Sequence, residues 1–321
     1  MNGGASVSSL KVAYADFWPG FDVRTSDFFT SMPDGIRLSD DVKHADVVVH
    51  STFGHRHESA QGIRVGISLE PVDYPLRPHF TIDWRLTGNS RHLRWIPGPA
   101  RTVPDLVNDL AVIRPLASRK FCSYVYSHDI SGFRNGFFDL LDARRSVDSL
   151  GGVRHNHDDP DLGPRRGADF RPSKIAVLNK YRFTIAFENS ELPGYTTEKI
   201  IDAFQADTIP IYWGNPCVDL DFDPASFISF YEHGSMSALA DHVVAVDNDP
   251  GLYETYRVAN PFRTGAMSAR ETEAGAQLKA FLRQVTDFEM FESSSSRLRR
   301  RVKSFGQRKI GRLTATRSVS E

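Results

Sequence analysis

The stretch Lys180–Trp213, KYRFTIAFENSELPGYTTEKIIDAFQADTIPIYW, holds the densest set of residues able to do chemistry. An apolar run ends at Phe187. Glu188, Asn189, Pro193, Gly194 and Tyr195 follow, and a helical pattern opens at Thr196 or Thr197. Glu198 and Lys199 then fall in its first turn. A helix start offers free backbone N–H groups and a positive dipole end, so it favours anions. Glutamate suits that place, whereas lysine opposes the dipole. A lysine set against the dipole is suited to hold a bound anion; the plain alternative is a solvated side chain. Arg134 repeats the arrangement. It follows the apolar run Phe121–Ser127 and the turn Ser127-His128-Asp129, at the start of another helical pattern. Two cations at two strand-to-helix corners, arginine as a fork and lysine as a point charge, would clamp a diphosphate.

The elements that must place these residues read as an α/β chain. Strands are predicted at Leu10–Ala15, Asp46–His50, Ile63–Ser68 and Phe80–Trp84, then at Phe121–Ser127, Tyr181–Phe187 and Thr208–Trp213. Helices are predicted over Gly132–Ala143, Ser173–Asn179, Thr197–Ala206, Leu239–Val246 and within Ala266–Thr286, with a polar loop at Gly151–Pro172. Strand Tyr181–Phe187, its helix and strand Thr208–Trp213 have the rhythm of a βαβ unit, whose ligands bind beyond the carboxyl ends of the strands. Pro97, Pro99, Pro104 and Pro115 mark an inter-domain passage. We expect a first domain over 10–116, a second over 117–292 and a basic, disordered tail over 293–321.

FENSELPGYTTEKIIDAF resembles the donor-site signature of the alpha-1,3/1,4-fucosyltransferases, glycosyltransferase family 10. The likeness continues through TIPIYWGNP and DFDPASFISF and back through YVYSHDISGFRNGFFDLLDARRSVDSLGG, which together span most of the second half. In the first half it rests mainly on GISLEP and the strand after it. The resemblance implies a GT-B architecture, two Rossmann-like domains facing a cleft, and an inverting transfer of fucose from GDP-fucose to an acceptor glycan. It implies that Asn189, Tyr195, Glu198 and Lys199 line the donor site, and that Lys199 and Arg134 bind the diphosphate. Glu70 stands where the family places its proposed general base, with Asp16, Asp73 and Asp129 in reserve. The family's usual acceptor is N-acetylglucosamine, taken at an alpha-1,3 linkage; a bacterial surface polysaccharide is the alternative. A transferase of another GDP-sugar, or a catalytically silent sugar-nucleotide-binding protein, are the competing readings.

Other features point elsewhere. Asp219, Asp221 and Asp223 form DLDFD, which can hold a metal against a diphosphate; here they lie in the segment resembling a family loop that binds none. No cofactor is expected, and a divalent metal at most stimulates. His44, His50, His55 and His57 form a group that reads as surface rather than metal site, and His155 and His157 read as solvated. Cys122 and Cys217 lie far apart and read as small buried apolar residues. The 39 basic and 40 acidic residues leave a net charge of −1, which gives no global attraction to polyanions. The exception is the tail after Ser293, with Arg297, Arg299, Arg300, Arg301 and Lys303 among its cations. It suits peripheral contact with anionic lipid, not nucleic acid. With no leader pattern at the start and no long apolar run, a cytoplasmic protein, peripheral at the inner membrane face, is expected.

Overall fold

A computed structural model describes residues 10–25, 36–74, 76–94, 115–128, 132–165, 170–261, 276–285 and 287. The first sheet is built from β1 (Leu10–Ala15), β2 (Ile36–Leu38), β3 (Val47–His50), β4 (Ile63–Ser68), β5 (Phe80–Asp83) and β6 (His92–Arg94). All its pairings are parallel, in the order β2-β1-β3-β4-β5-β6. A parallel sheet is covered on both faces, so its central strands are largely apolar. The run Val47-Val48-Val49-His50 in β3 is buried at every position.

The second sheet has β7 (Lys120–Tyr124), β8 (Val147–Ser149), β9 (Tyr181–Phe187), β10 (Ile209–Trp213) and β11 (Ile228–Ser229), again all parallel, in the order β11-β10-β9-β7-β8. Around it lie α1 (Gly132–Asp142), α2 (Phe170–Leu178), α3 (Glu198–Gln205), α4 (Met236–Asn248) and α5 (Pro250–Val258). Helix α2 begins three residues before the predicted Ser173 and carries Pro172 in its first turn, where no intrahelical N–H is needed.

Each sheet reverses its winding once. The chain passes from β1 outward to β2 and then returns to the other side of β1 as β3; it passes from β7 to β8 and returns beside β7 as β9. Such a switch point opens a crevice at the carboxyl ends of the two central strands, and ligands bind there. Arg134 follows β7 and Lys199 follows β9, so the second crevice separates the two predicted phosphate ligands.

Helical residues 276–285, read from sequence with the second domain, pack on the first sheet. Leu278, Phe281, Leu282 and Val285 join Val12, Ile63, Val65 and Phe80 in one core, with Phe281 edge-on to Phe80 at 5.8 Å. The chain therefore crosses between the two sheets again near its end. The predicted tail from 293 lies outside the described residues.

Candidate active site

Arg134 is the third residue of α1, and its side chain is folded into the protein rather than into water, at 1% exposure. Its guanidinium lies 3.9 Å over the Tyr126 ring. One nitrogen, Nη2, donates to the His128 carbonyl at 2.7 Å, and Nη1 donates to Asn189 Oδ1 at 3.0 Å. Asn189 sits on the loop after β9. The two strand-to-helix corners are thus joined by a direct bond between residues 55 positions apart.

Glu188 is the first residue after β9 and has no exposed surface. Its carboxylate accepts three bonds, from Thr197 N–H at 2.7 Å, Thr197 Oγ1 at 2.7 Å and Lys199 Nζ at 3.0 Å. Thr197 makes no cap bond of its own at the start of α3. Glu188 therefore supplies that cap from across the loop, a place where negative charge meets free N–H groups. Burial raises the Glu188 carboxyl above the usual range, and Lys199 and Thr197 only partly offset it. Burial opposes the Lys199 charge as well, but Glu188 and Glu198 together hold its ammonium above the ordinary lysine range. Burial likewise opposes the Glu198 charge; Lys199 and Lys174, with Arg171, outweigh it and keep that carboxyl low. Lys199 is thus no solvated lysine. It sits between two carboxylates, and Glu188, which sequence reading left among the loop residues, is the group that fixes it.

Asn215 shapes the loop in between. Its Oδ1 accepts from Gly194 N–H at 2.7 Å and Cys217 N–H at 2.9 Å, and its Nδ2 donates to Thr196 Oγ1 at 2.9 Å. Tyr195 is completely buried, and its hydroxyl has no hydrogen-bond partner among the described residues. Its hydroxyl pKa lies far above the usual value, chiefly because of burial; Lys199 opposes the rise, and Glu188, Glu70 and Glu198 add to it. The structure therefore gathers Arg134, Asn189, Glu198, Lys199 and Tyr195 around one crevice, and Trp84 links Tyr195 to the Glu70 backbone.

The family model "Glycosyltransferase family 10 (fucosyltransferase) C-term" matches residues 117–277, half of the chain. The chain belongs to glycosyltransferase family 10. It is 34% identical over 146 residues to alpha-(1,3)-fucosyltransferase FucT of Helicobacter pylori, a match covering 46% of this chain and 28% of that protein. It is 28% identical over 184 residues to GDP-fucose protein O-fucosyltransferase 3 of Mus musculus, covering 52% of this chain and 38% of the relative. These matches thus span well under half the length of either curated relative. A crystal structure of an alpha1,3-fucosyltransferase with GDP-fucose superposes with a TM-score of 0.64 at 23% identity, over 87% of this chain and 93% of that one. The fold is GT-B.

In this family 10 member the DLDFD aspartates and the histidines lie in separate surroundings. Asp221 takes both terminal nitrogens of Arg94, from the first sheet, at 2.6 and 2.8 Å. Asp223 accepts from Ala225 N–H at 3.0 Å and caps the turn that follows, and Asp219 is exposed. The histidine group divides. His44 and His55 are exposed, as expected, but His50 and His57 are fully buried and stacked at 3.9 Å, contrary to the surface reading. Asp16 is the reason. It lies in the left-handed region at φ 61° and accepts from His57 Nδ1 at 2.6 Å, His57 N–H at 2.9 Å and Arg56 N–H at 3.1 Å. That clamp folds the loop after β3 inward. Burial also pushes the His50 imidazole down to about 4, so it stays neutral near pH 7. His155 is exposed and His157 partly so; Cys122 is buried and Cys217 partly exposed.

Proposed function

We propose that the chain is an inverting fucosyltransferase, which moves L-fucose from GDP-beta-L-fucose to a hydroxyl of an acceptor glycan, alpha-1,3 to N-acetylglucosamine or a similar sugar. The observation that carries this reading is the joined pair of corners at the second switch point of a family 10 chain, with Arg134 on one side and Lys199 on the other. As the bond from the anomeric carbon to the GDP oxygen breaks, the sugar gains oxocarbenium character and negative charge grows on the diphosphate. Fixed cations there stabilise the transition state more than the ground state. The acceptor hydroxyl attacks the opposite face, loses its proton to Glu70 and forms the new bond, and GDP leaves. Glu198, kept ionised, would accept hydroxyls of the ribose or the sugar. The crevice of the first sheet, between β1 and β3, is edged by exposed Trp18 and Phe53, whose rings suit the apolar face of an acceptor sugar.

Transfer assays with GDP-fucose, other GDP-sugars and UDP-sugars, each with and without EDTA, test the reading. Fucose transfer from GDP-fucose that survives chelation is the expected result, because side-chain cations serve the diphosphate without a required metal. Faster turnover of a UDP-sugar would overturn it. Preference for another GDP-sugar, or tight GDP binding without turnover, would favour the two competing readings. Complete, metal-reversible loss with EDTA would return DLDFD to the site.

The basic stretch after Ser293 supports peripheral contact with anionic lipid at the inner face of the membrane, since basic residues near such a surface contribute ~1 kcal/mol each. Deleting it should abolish salt-sensitive binding to anionic vesicles and spare transfer to soluble acceptors; unchanged vesicle binding would count against the assignment.

A further inference from the structure

Trp84 stands at the end of β5, where the two sheets meet, and its contacts run in two directions. Toward the first sheet, indole Nε1–H donates to the Glu70 carbonyl at 3.1 Å. The next residue, Arg85, has its guanidinium 4.9 Å from the Trp84 ring centroid and donates to the Val72 carbonyl at 3.0 Å and Asp73 Oδ1 at 2.9 Å. The turn from Glu70 to Asp73 is therefore held by one dipeptide. The turn's own bonds are local ones: Ser68 Oγ donates to the Glu70 carbonyl at 3.1 Å and accepts from Glu70 N–H at 3.3 Å, and Val72 N–H closes on the same carbonyl at 2.8 Å, so none of them ties the turn to the neighbouring strand.

Toward the second sheet, the indole meets Tyr195 edge-on, with ring centroids 5.2 Å apart at 65°. The Trp84 carbonyl fills the space beside Gly194, where an added Cβ would stand 2.6 Å from it. Gly194 has φ +89°, so both the backbone conformation and the close approach call for glycine. Arg94 ties the two backbones together. Its Nε donates to the Trp84 carbonyl and its Nη2 to the Gly194 carbonyl, each at 3.3 Å, while Asp221 neutralises it. The loop so gripped, 192–197, leads directly into Glu198 and Lys199.

We propose that Trp84 is a positioning residue for the transfer: one side chain fixes the Glu70 turn of the first sheet against the donor loop of the second. The proposal rests on the reading of Glu70 as the base. A base on one sheet and a donor on the other keep a single separation only if something spans the cleft. Trp84 spans it, with a polar bond to one side and ring packing to the other. Its role is to hold geometry, and it touches no reacting atom.

The test separates the two sides of the indole in the full-length chain. Trp84→Phe keeps an aromatic ring against Tyr195 and removes the N–H that holds Glu70. It should lower kcat by roughly 10- to 100-fold, the usual effect of a small misplacement of a reacting group. GDP affinity and the KM for GDP-fucose should stay within about twofold, because the donor loop keeps its packing. In a Glu70→Gln background the same change should cause no further loss, since residues acting as one unit are not additive. β-(3-Benzothienyl)alanine at position 84 keeps the bicyclic shape and lacks only the N–H; it repeats the measurement without leaving a gap. Wild-type kcat in either replacement, beside an inactive Glu70→Gln, would overturn the proposal alone. Losses that add in the double variant would overturn it too, by placing Trp84 in an independent role. Normal turnover by Glu70→Gln would overturn the reading of Glu70 itself.

Discussion

Replacing Lys199 by methionine should lower kcat/KM for GDP-fucose by about 10³-fold, the upper end of what one preorganised group at a developing charge supplies. The same substitution should destabilise the fold. It leaves Glu188 buried, capped by Thr197 but without its ammonium partner, and breaking a buried pair commonly costs about 3–5 kcal/mol. The Glu188 carboxyl is already raised by burial, and losing Lys199 removes the largest effect that holds it down. A group whose folded pKa lies above its unfolded one adds stability below the unfolded value and loses it as pH rises through the folded value. The variant should therefore melt closer to wild type at pH 5 than at pH 8. Glu188→Gln together with Lys199→Met separates the two effects. It removes the stranded carboxylate and should restore most of the melting temperature, because a neutral amide can still accept from Thr197. Transfer should remain lost. Thermal melts across pH and steady-state transfer on the same preparations check this; recovered activity in the double variant would remove Lys199 from the phosphate site. Arg134→Ala should act at the same step, since its guanidinium is fixed against Tyr126 and Asn189 before any donor arrives.

The second crevice was legible because its parts are continuous in sequence. Strand β9, the loop Glu188–Thr197 and helix α3 follow one another, so a lysine at a helix start could be read as misplaced. Its counter-charge was not legible, because an acid just past an apolar run looks like any loop residue until the loop folds back to bring Thr197 and Lys199 onto it. Long-range partners account for the other differences. His57 is buried because of an aspartate 41 residues earlier, and Asp221 is engaged by an arginine 127 residues earlier. Strands β2, β6, β8 and β11 escaped because two or three residues carry no measurable alternation. The return of residues 276–285 to the first sheet is a matter of chain path, and an amphipathic helix shows only that some core awaits it, not which one.

Glu70→Gln should lower kcat by roughly 10²- to 10⁴-fold, on the usual scale of general-base catalysis, while GDP binds as before. Glu70 lies two residues past β4, in the carboxyl-end edge of the first sheet, and Pro71 biases it toward an extended backbone. Its backbone is engaged by Ser68 and Trp84, yet its carboxylate makes no hydrogen bond among the described residues. A base needs that combination, a fixed attachment and lone pairs still open to the acceptor hydroxyl. The reserve candidates lack it. Asp16 is spent on His57 and Arg56, Asp73 is bonded to Arg85, and Asp129 lies outside the described residues. Trp84 lies between the Glu70 backbone and the Tyr195 ring, so Glu70 stands beside the donor loop. Glutamine keeps the shape and the acceptor oxygen and removes the basicity, so a purely structural role would survive the change. Single-turnover transfer paired with a GDP titration distinguishes the outcomes. Slow transfer at unchanged GDP affinity assigns the base; normal transfer rejects it; lost GDP affinity in a folded variant moves Glu70 to the donor site.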